Sequence, residues 1–596
     1  MIRRPLRPLA RVIDARKKGQ DPRLVEAEER AARLRAIRAA ERQRAETRLL
    51  LLAALFLLGF GTIGVKMGAL SSTVAEEPKA GAPGSIIAAQ RATITDRKGR
   101  VMATNLETAS LYAQPQHMAD KRAAADGLAE IFPDLDAEQL YKRFTSKRKF
   151  LWIKRKLSPE QQQAVHDLGE PGLQFGPREL RLYPNGTLAA HILGGSSFGR
   201  EGVHAAEIIG VAGVEREFDE RLRDPAQSGE PLSLSIDLTV QAAIERVLRG
   251  GMSVMNAKGA SAVLMKARTG EILSMVSLPD FDPNHRPAPA TSGDPSLSPL
   301  FNRAAQGRYE LGSTFKVFTA ALSMEMGLAS PDTLIETAGP LRWGKFKIRD
   351  FHNYGPRLSL TDVIVKSSNI GTARLAIAAG TPAQKDILNK LGFFEPVPVQ
   401  LPEAGRSKPL MPAKWSDLST MTISYGHGIA ATPLHLAAAY ATITNGGLKV
   451  TPTLLKDPDL PTEADRVISP ATSMHVRRML RAVVTRGTAS LGDVEGYEVG
   501  GKTGTADKPK PTGGYYDDKV IATFASIFPA SNPEYVLVVT LDEPVEMTGS
   551  EPRRTAGWTA VPVAAEIIRR VAPLMGMRPR PKREEMDDPT VTLARN

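Results

Sequence analysis

Ser313-Thr314-Phe315-Lys316 sets a hydroxyl and an amine three positions apart, the spacing that brings two side chains onto one helix face. A serine hydroxyl is a weak nucleophile until a neighbouring base takes its proton. Gly312 before the serine, and Val317, Phe318, Ala320, Ala321 and Met324 after it, predict a buried helix starting there. Burial lowers a lysine pKa by desolvation, which would make Lys316 available as a neutral base. A helix N-terminus also offers a backbone N–H and partial positive charge to a developing oxyanion. Alone the pattern is unspecific. Ser146-Lys147-Arg148-Lys149 matches it too, but among Lys142, Arg143, Lys147 and Arg148 it reads as a solvated basic face.

Two further clusters follow in the same half of the chain. Ser367-Ser368-Asn369 precedes a helical run, Ile370 to Ala379. A hydroxyl and an amide two residues apart on a loop can point into one cleft. Ser367 would then relay a proton between Lys316 and a leaving amine, and Asn369 would hold a peptide carbonyl. The plain alternative is a helix cap, since Ser and Asn favour that position. Lys502-Thr503-Gly504-Thr505 follows the strand-like Tyr497-Glu498-Val499. On an edge strand Lys502, Thr503 and Thr505 could bind a C-terminal carboxylate. Gly504 would allow close backbone approach, and the Thr505 N–H would be a second oxyanion donor. The plain alternative here is a glycine turn, as in Arg268-Thr269-Gly270.

These clusters need a scaffold, and 596 residues imply more than one domain. A hydrophobic fraction of 42% and a charged fraction of 24% describe an ordinary globular chain. There is no cysteine, which excludes disulfides and thiolate chemistry, and the nine histidines show no metal-ligand spacing, so neither metal nor cofactor is expected. The net charge of +13 does not indicate nucleic-acid binding, because residues 1–48 hold 15 Lys/Arg against 7 Asp/Glu, a net +8, leaving +5 for the rest. That basic tail precedes the uncharged run Leu49 to Val65. Extended to residue 70, the run is long enough to cross a bilayer of about 30 Å. Basic residues on its N-terminal flank predict a cytoplasmic N-terminus with the remainder outside. A cleaved signal ending near Thr73-Val74-Ala75 would need an n-region of 48 residues, so an uncleaved anchor is expected.

Residues 21–48 read as a charged helix and 71–87 as a linker. A hairpin is expected around Thr93 to Val101, with helices across 120–170. A second mixed segment runs from Arg181 to Asp224. A domain boundary falls near 228, after which strand Leu232–Asp237, helix Leu238–Leu248, strand Ser261–Met265 and strand Glu271–Ser277 predict a sheet covered by helices. Residues 576–596 read as a disordered tail.

The three motifs in this order resemble those of penicillin-binding proteins and β-lactamases. The resemblance spans roughly 88–575 and is to class B penicillin-binding proteins. Ile94-Thr95-Asp96-Arg97-Lys98-Gly99, Arg181-Leu182-Tyr183-Pro184 and Gly210 to Glu215 are similar to motifs of their non-catalytic pedestal. Tyr309-Glu310-Leu311-Gly312 and Ser424-Tyr425-Gly426-His427-Gly428 resemble further family segments. Leu311 replaces a common proline, and His427 a common glutamine; a structural role is expected for His427. The resemblance implies an α+β chain with a membrane-spanning helix (49–70), a mixed α/β pedestal of the dimerisation type (88–228) and a β-lactamase-like transpeptidase domain (229–575) with an antiparallel sheet flanked by helices. It implies a D,D-transpeptidase acting on peptidoglycan stem peptides, acylated by β-lactams, with Ser313, Lys316, Ser367, Asn369 and Lys502 catalytic and Thr503, Gly504 and Thr505 holding substrate. The Ser-Ser-Asn form and single anchor resemble the FtsI-type septal enzymes more than elongation-type ones. An FtsW-type glycan polymerase and other divisome proteins are the implied partners. A β-lactamase or D,D-carboxypeptidase fits poorly with a pedestal and anchor, and a silent β-lactam sensor fits poorly with an intact Ser/Lys/Ser/Asn/Lys set.

Overall fold

The computed structural model describes residues 6–19, 21–72, 91–201, 206–224, 226, 230–510 and 512–580. Nearly all of the expected linker, the 73–75 triplet and the tail beyond 580 lie outside the described residues. The chain divides into two compact units, residues 1–77 and 78–596.

The first unit is a pair of helices, α1 (Leu6–Lys17) and α2 (Pro22–Ser72). The charged segment and the apolar run are one uninterrupted 51-residue helix. Arg42 and Glu46, 2.8 Å apart, pair one turn apart on its charged part. Residues Glu46–Lys66 are long and apolar enough to span a membrane, with a mean hydropathy of 2.1. The unanticipated α1 folds back on α2, burying Ala15 and pairing Arg11 with Glu29 at 2.8 Å.

The second unit begins with a sheet centred on β2 (Val101–Ala113), which pairs with β1 (Ile94–Thr95) at its start. Further along, β3 (Leu151–Leu157) and β4 (Leu173–Leu182) flank it. Helices α3 (Lys121–Ile131), α4 (Ala137–Phe144) and α5 (Pro159–Asp167) close a core of Leu128, Phe132, Leu140, Phe144 and Val165. Residues 120–170 are therefore not all helical. Leu151–Leu157 is a strand because ladder pairing with β2 and burial of Leu151 and Leu157 at its ends outweigh the helix propensity of its Lys/Arg residues.

After the short helix α6 (Ala190–Leu193), the hairpin β5 (Gly195–Glu201) and β6 (Ala206–Ala212) leads into helices α7 (Gly213–Glu217) and α8 (Asp219–Arg223). On α7, Glu215 is fully buried and accepts from Arg91 Nε at 2.6 Å and Arg181 Nε at 2.7 Å, both of them buried. The segment before β1, the end of β4 and helix α7 are thereby pinned to one carboxylate. Strand β7 (Leu232–Ser233) then pairs in parallel with β1, so the chain leaves the first sheet by its own edge. Ile94, Met102 and Tyr183 share a continuous core with Leu234, Ile236 and Leu273.

The second sheet has the order β14 (Gly500–Pro509), β15 (Tyr515–Phe528), β16 (Tyr535–Asp542), β8 (Gly259–Lys266), β9 (Ile272–Leu278), antiparallel throughout. This is the expected α+β arrangement. Every residue of β9 is buried, as helices α9 (Leu238–Val254) and α17 (Ala560–Leu574), with α15 (Pro433–Thr444) and α16 (Pro470–Arg486), cover the sheet. Between α10 (Lys316–Glu325) and α11 (Leu360–Val365) lie two hairpin-like pairs, β10 (Leu334–Glu336) with β13 (Arg357–Ser359) and β11 (Leu341–Trp343) with β12 (Phe346–Ile348). Helices α12 (Asn369–Ala379), α13 (Thr381–Lys390) and α14 (Asp417–Ser424) complete the domain.

Removing the carboxylate at 215 leaves two buried guanidinium groups without their shared counter-charge. Glu215→Gln is expected to destabilise the protein by about 3–5 kcal/mol, whereas the exposed Glu217→Gln changes little. Thermal unfolding of both variants, with equal melting temperatures as the contrary result, checks this.

Candidate active site

The nucleophile candidate sits on a turn, not inside the helix. Gly312–Phe315 is a 3₁₀ turn and the α-helix proper starts at Lys316. Gly312 has φ +55°, which only glycine adopts readily, and this turns the chain so that Ser313 is half-buried at the helix entrance. Beyond it Lys316 to Ser323 are all buried, as the apolar pattern predicted. The turn is supported from below: Tyr440 Oη on α15 donates to Thr314 O at 2.9 Å, and Phe315, Phe318 and Phe393 pack ring against ring.

The Ser367-Ser368-Asn369 cluster divides its labour unexpectedly. The middle serine, Ser368, caps α12, its Oγ accepting from Gly371 N at 3.0 Å. Ser367, which sequence reasoning weighed as a cap, instead takes φ +61° and points its hydroxyl at two lysines. Asn369 opens α12, and its Nδ2 donates to Arg349 O at 3.0 Å. Asp350 holds the cluster in place. Its carboxylate accepts from Ser368 Oγ and Asn369 N, both at 2.6 Å, and from Ile370 N at 3.0 Å. Sequence reasoning missed Asp350, which lies in a loop with no periodic or motif signal.

The third cluster lies on β14, the outer strand of the sheet. Lys502 is fully buried, Thr503 Oγ1 is 2.7 Å from Thr488 Oγ1, and Thr505 Oγ1 accepts from Ala556 N at 3.0 Å. A Cβ on Gly504 would lie 2.1 Å from Leu311 O, so it is this chain's own nucleophile turn that demands glycine there. From the other side, a Cβ on Gly312 would lie 2.7 Å from Thr505 O. The Thr505 backbone thus runs beside the residue preceding Ser313.

The amines of Lys316 and Lys502 converge on one atom. Each donates to Ser367 Oγ at 3.0 Å, and Lys316 Nζ also donates to Ser367 O. Burial, reinforced by the charge of Lys502 and opposed by Asp350, holds the Lys316 amine well below its ordinary range. Burial alone brings Lys502 down to about 7. A neutral amine one helical turn from a serine, and a second amine able to carry charge near neutrality, can move a proton through the Ser367 hydroxyl.

A second carboxylate organises the rim. Glu310, three residues before Ser313, accepts from Gly428 N at 2.8 Å and Tyr515 Oη at 2.9 Å, and lies 3.0 Å from His427 Nδ1. Burial pushes the Glu310 carboxyl up, but His427 and the Gly428 N–H more than offset this and hold it below the usual range. His427 therefore tethers the 424–428 loop to the nucleophile segment. Ser146, the other serine with a lysine three positions on, is exposed and bonded to Arg143 O at a helix end. Among the described residues no histidine and carboxylate cluster could hold a metal.

The penicillin binding protein transpeptidase domain model matches residues 260–569, and the penicillin-binding protein dimerisation domain model matches residues 86–228. The chain is 35% identical over 553 residues to the "Probable peptidoglycan D,D-transpeptidase FtsI" of Caulobacter vibrioides, covering 91% of each. It is 29% identical over 517 residues to the "Peptidoglycan D,D-transpeptidase FtsI" of Escherichia coli, covering 83% of this chain and 85% of that one. Penicillin binding protein 3 of Mycobacterium tuberculosis, solved with aztreonam, superposes with a TM-score of 0.61 at 27% identity, over 83% of this chain and 98% of the other. The chain belongs to the penicillin-binding protein transpeptidases, with the dimerisation-type pedestal of their class B members.

Proposed function

We propose that this protein cross-links peptidoglycan stem peptides by a serine acyl-enzyme mechanism and that β-lactams acylate the same serine. The observation that carries this reading is the convergence of Lys316 and Lys502, both fully buried, on Ser367 Oγ beside the turn that presents Ser313. In the first step neutral Lys316 takes the Ser313 proton as Oγ attacks the carbonyl of the penultimate D-alanine. The N–H groups of Ser313 and Thr505 receive the oxyanion, and the proton returns through Ser367 to the departing D-alanine amine. An amine of a second stem peptide then attacks the ester and releases Ser313. Lys502, Thr503 and Thr505 hold the substrate carboxylate, Gly504 keeps their strand against the turn, and Asn369 orients a peptide carbonyl.

A septal role is part of this reading, supported by the Ser-Ser-Asn form and by the similarity to the two FtsI proteins. The boundaries proposed are a cytoplasmic tail to residue 48, an anchor over 49–70, a linker to 87, a pedestal to 228 and the catalytic domain to 575, with the pedestal outside the inner membrane. The apolar stretch of α2 and its basic flank support this arrangement.

Labelled penicillin is expected to modify Ser313 alone, and Ser313→Ala to abolish labelling; a label at Ser146 refutes the assignment. Lys316→Arg, permanently protonated, is expected to slow acylation by several orders of magnitude, on the order of 10³ or more. Acylation of the natural protein should fall as pH drops through the depressed Lys316 pKa, because only the neutral amine accepts the proton. Lys502→Met removes a like charge and should move this acid limb to higher pH; an unmoved limb means that the two amines do not sense each other.

A reporter active only outside the cytoplasm should work when fused after Asn596 and fail at Arg44. The reverse pattern excludes the proposed orientation.

An FtsW-type polymerase and other divisome proteins are the proposed partners, recruited through residues 49–228. Exchanging Leu49 to Val65 for an unrelated apolar span should preserve penicillin labelling and weaken polymerase co-purification. Undiminished recruitment by the exchanged chain would reduce the span to a tether.

A further inference from the structure

The β11–β12 hairpin presents an aromatic and cationic shelf next to the site. Trp343 lies directly opposite Phe346, and Leu341 opposite Ile348, so the four share one face. The inner pair is structural: Ile348 is buried with Ile370, Ala373 and Met421, and Leu341 packs on the same cluster. The outer pair continues the stripe into solvent, with Trp343 39% and Phe346 48% exposed, and Phe351 just beyond is 82% exposed. Packing of the domain does not account for large rings left open to water at the end of this stripe.

Positive charge surrounds these rings. At the turn Lys345 Nζ stands 5.6 Å from the Phe346 ring centre, Arg342 and Lys347 face each other on the opposite side of the hairpin, and Arg349 follows β12. Among the described residues none of these four cations forms a salt bridge, and Asp350, the acid next in sequence, is spent on the N-terminus of α12. The shelf is continuous with the site, because Arg349 O receives the Asn369 amide and Asp350 holds the turn behind Ser367.

We propose that this hairpin is a polymer subsite of the transpeptidase, resting on the reading of the chain given above. Sugar rings of the glycan strand lie against Trp343, Phe346 and Phe351. Carboxylates of the attached peptides, present at least at each C-terminus, meet Lys345 at the turn, and Arg342, Lys347 and Arg349 add attraction through their long-range positive field. A long saccharide whose peptides carry carboxylates matches an open aromatic edge with cations at its turn and on its outer side, continuous with the site proposed to act on that polymer. The subsite would keep the strand in place while its stem peptide reaches Ser313.

The test uses the full chain in detergent micelles, with Trp343→Ser/Phe346→Ser and Lys345→Glu/Lys347→Glu as two separate double variants. All four positions are exposed. Co-sedimentation with purified sacculi is measured beside the rate of Ser313 acylation by a small soluble penicillin. Each variant is expected to acylate at the natural rate but to bind sacculi roughly fivefold or more weakly. The deficit of the charge-reversed variant should shrink at high salt. Natural sacculus binding by both variants overturns the subsite. So does an equal fall in acylation, which would make the hairpin a support for the catalytic centre, and so does loss of a co-purifying protein with sacculus binding intact. Failure of penicillin to label Ser313 in the natural chain is a different result, and it would overturn the transpeptidase reading itself.

Discussion

The architecture of the site depends on backbone meeting backbone where no side chain fits. Strand β14 lies so close to the Gly312–Phe315 turn that a Cβ on Gly504 would strike Leu311 O at 2.1 Å. On the far side of the same turn a Cβ on Gly426 would lie 2.0 Å from Gly312 O. The three glycines let an outer strand, the nucleophile turn and the 424–428 loop stack at contact distance, which sets the Thr505 backbone beside Gly312 and leaves the Lys502 amine on Ser367 Oγ. Even one methyl group at Gly504 would have to push β14 away from Ser313, separating groups that act within hydrogen-bond range.

Close stacking also excludes water, and exclusion of water governs the electrostatics. Two lysines buried around one hydroxyl, with Asp350 as the counter-charge near Lys316, cannot both remain protonated at modest cost. Lys316 is fully buried, and that desolvation holds its amine well below the ordinary range, while Phe315, Phe318, Phe393 and Tyr440 pack together around the start of the same helix. Burial and base strength are therefore one property, because water admitted to the Lys316 amine would raise its pKa.

Carboxylates elsewhere do the opposite task, gathering backbone N–H groups and cations to fix loops. Glu215 joins Arg91 and Arg181 in the pedestal, Asp350 anchors the start of α12, and Glu310 ties Tyr515 of β15 and His427 to the segment before Ser313. Each is buried or half-buried and accepts several hydrogen bonds, so each is a rigid junction and not a surface ion pair of small value. Asp350 and Glu310 hold fixed two of the loops around a site composed of pieces from distant parts of the chain, and Glu215 does the same within the pedestal.

Much of this was legible along the chain, and the division has a physical cause. The Ser313–Lys316 spacing, the buried face of α10, the apolar span and the order of the three motifs are properties of near neighbours, which helix periodicity and hydropathy determine without reference to the fold. A sheet covered by helices followed from alternating segments in the same way, whereas its antiparallel order was implied by the family resemblance. Contacts between remote residues were not legible. Asp350 reaches Ser368 across 18 positions, and Tyr515 reaches Glu310 across 205. Leu151–Leu157 became a strand because β2 offered it a ladder. Ser368, not Ser367 or Asn369, became the cap because Ser367 is drawn into the left-handed region between two amines. The sequence alone determined which residue types stand ready for acyl transfer and in what order. Only the tertiary structure decided which of them meet, since hydrogen bonds and desolvation depend on distances that chain spacing does not set.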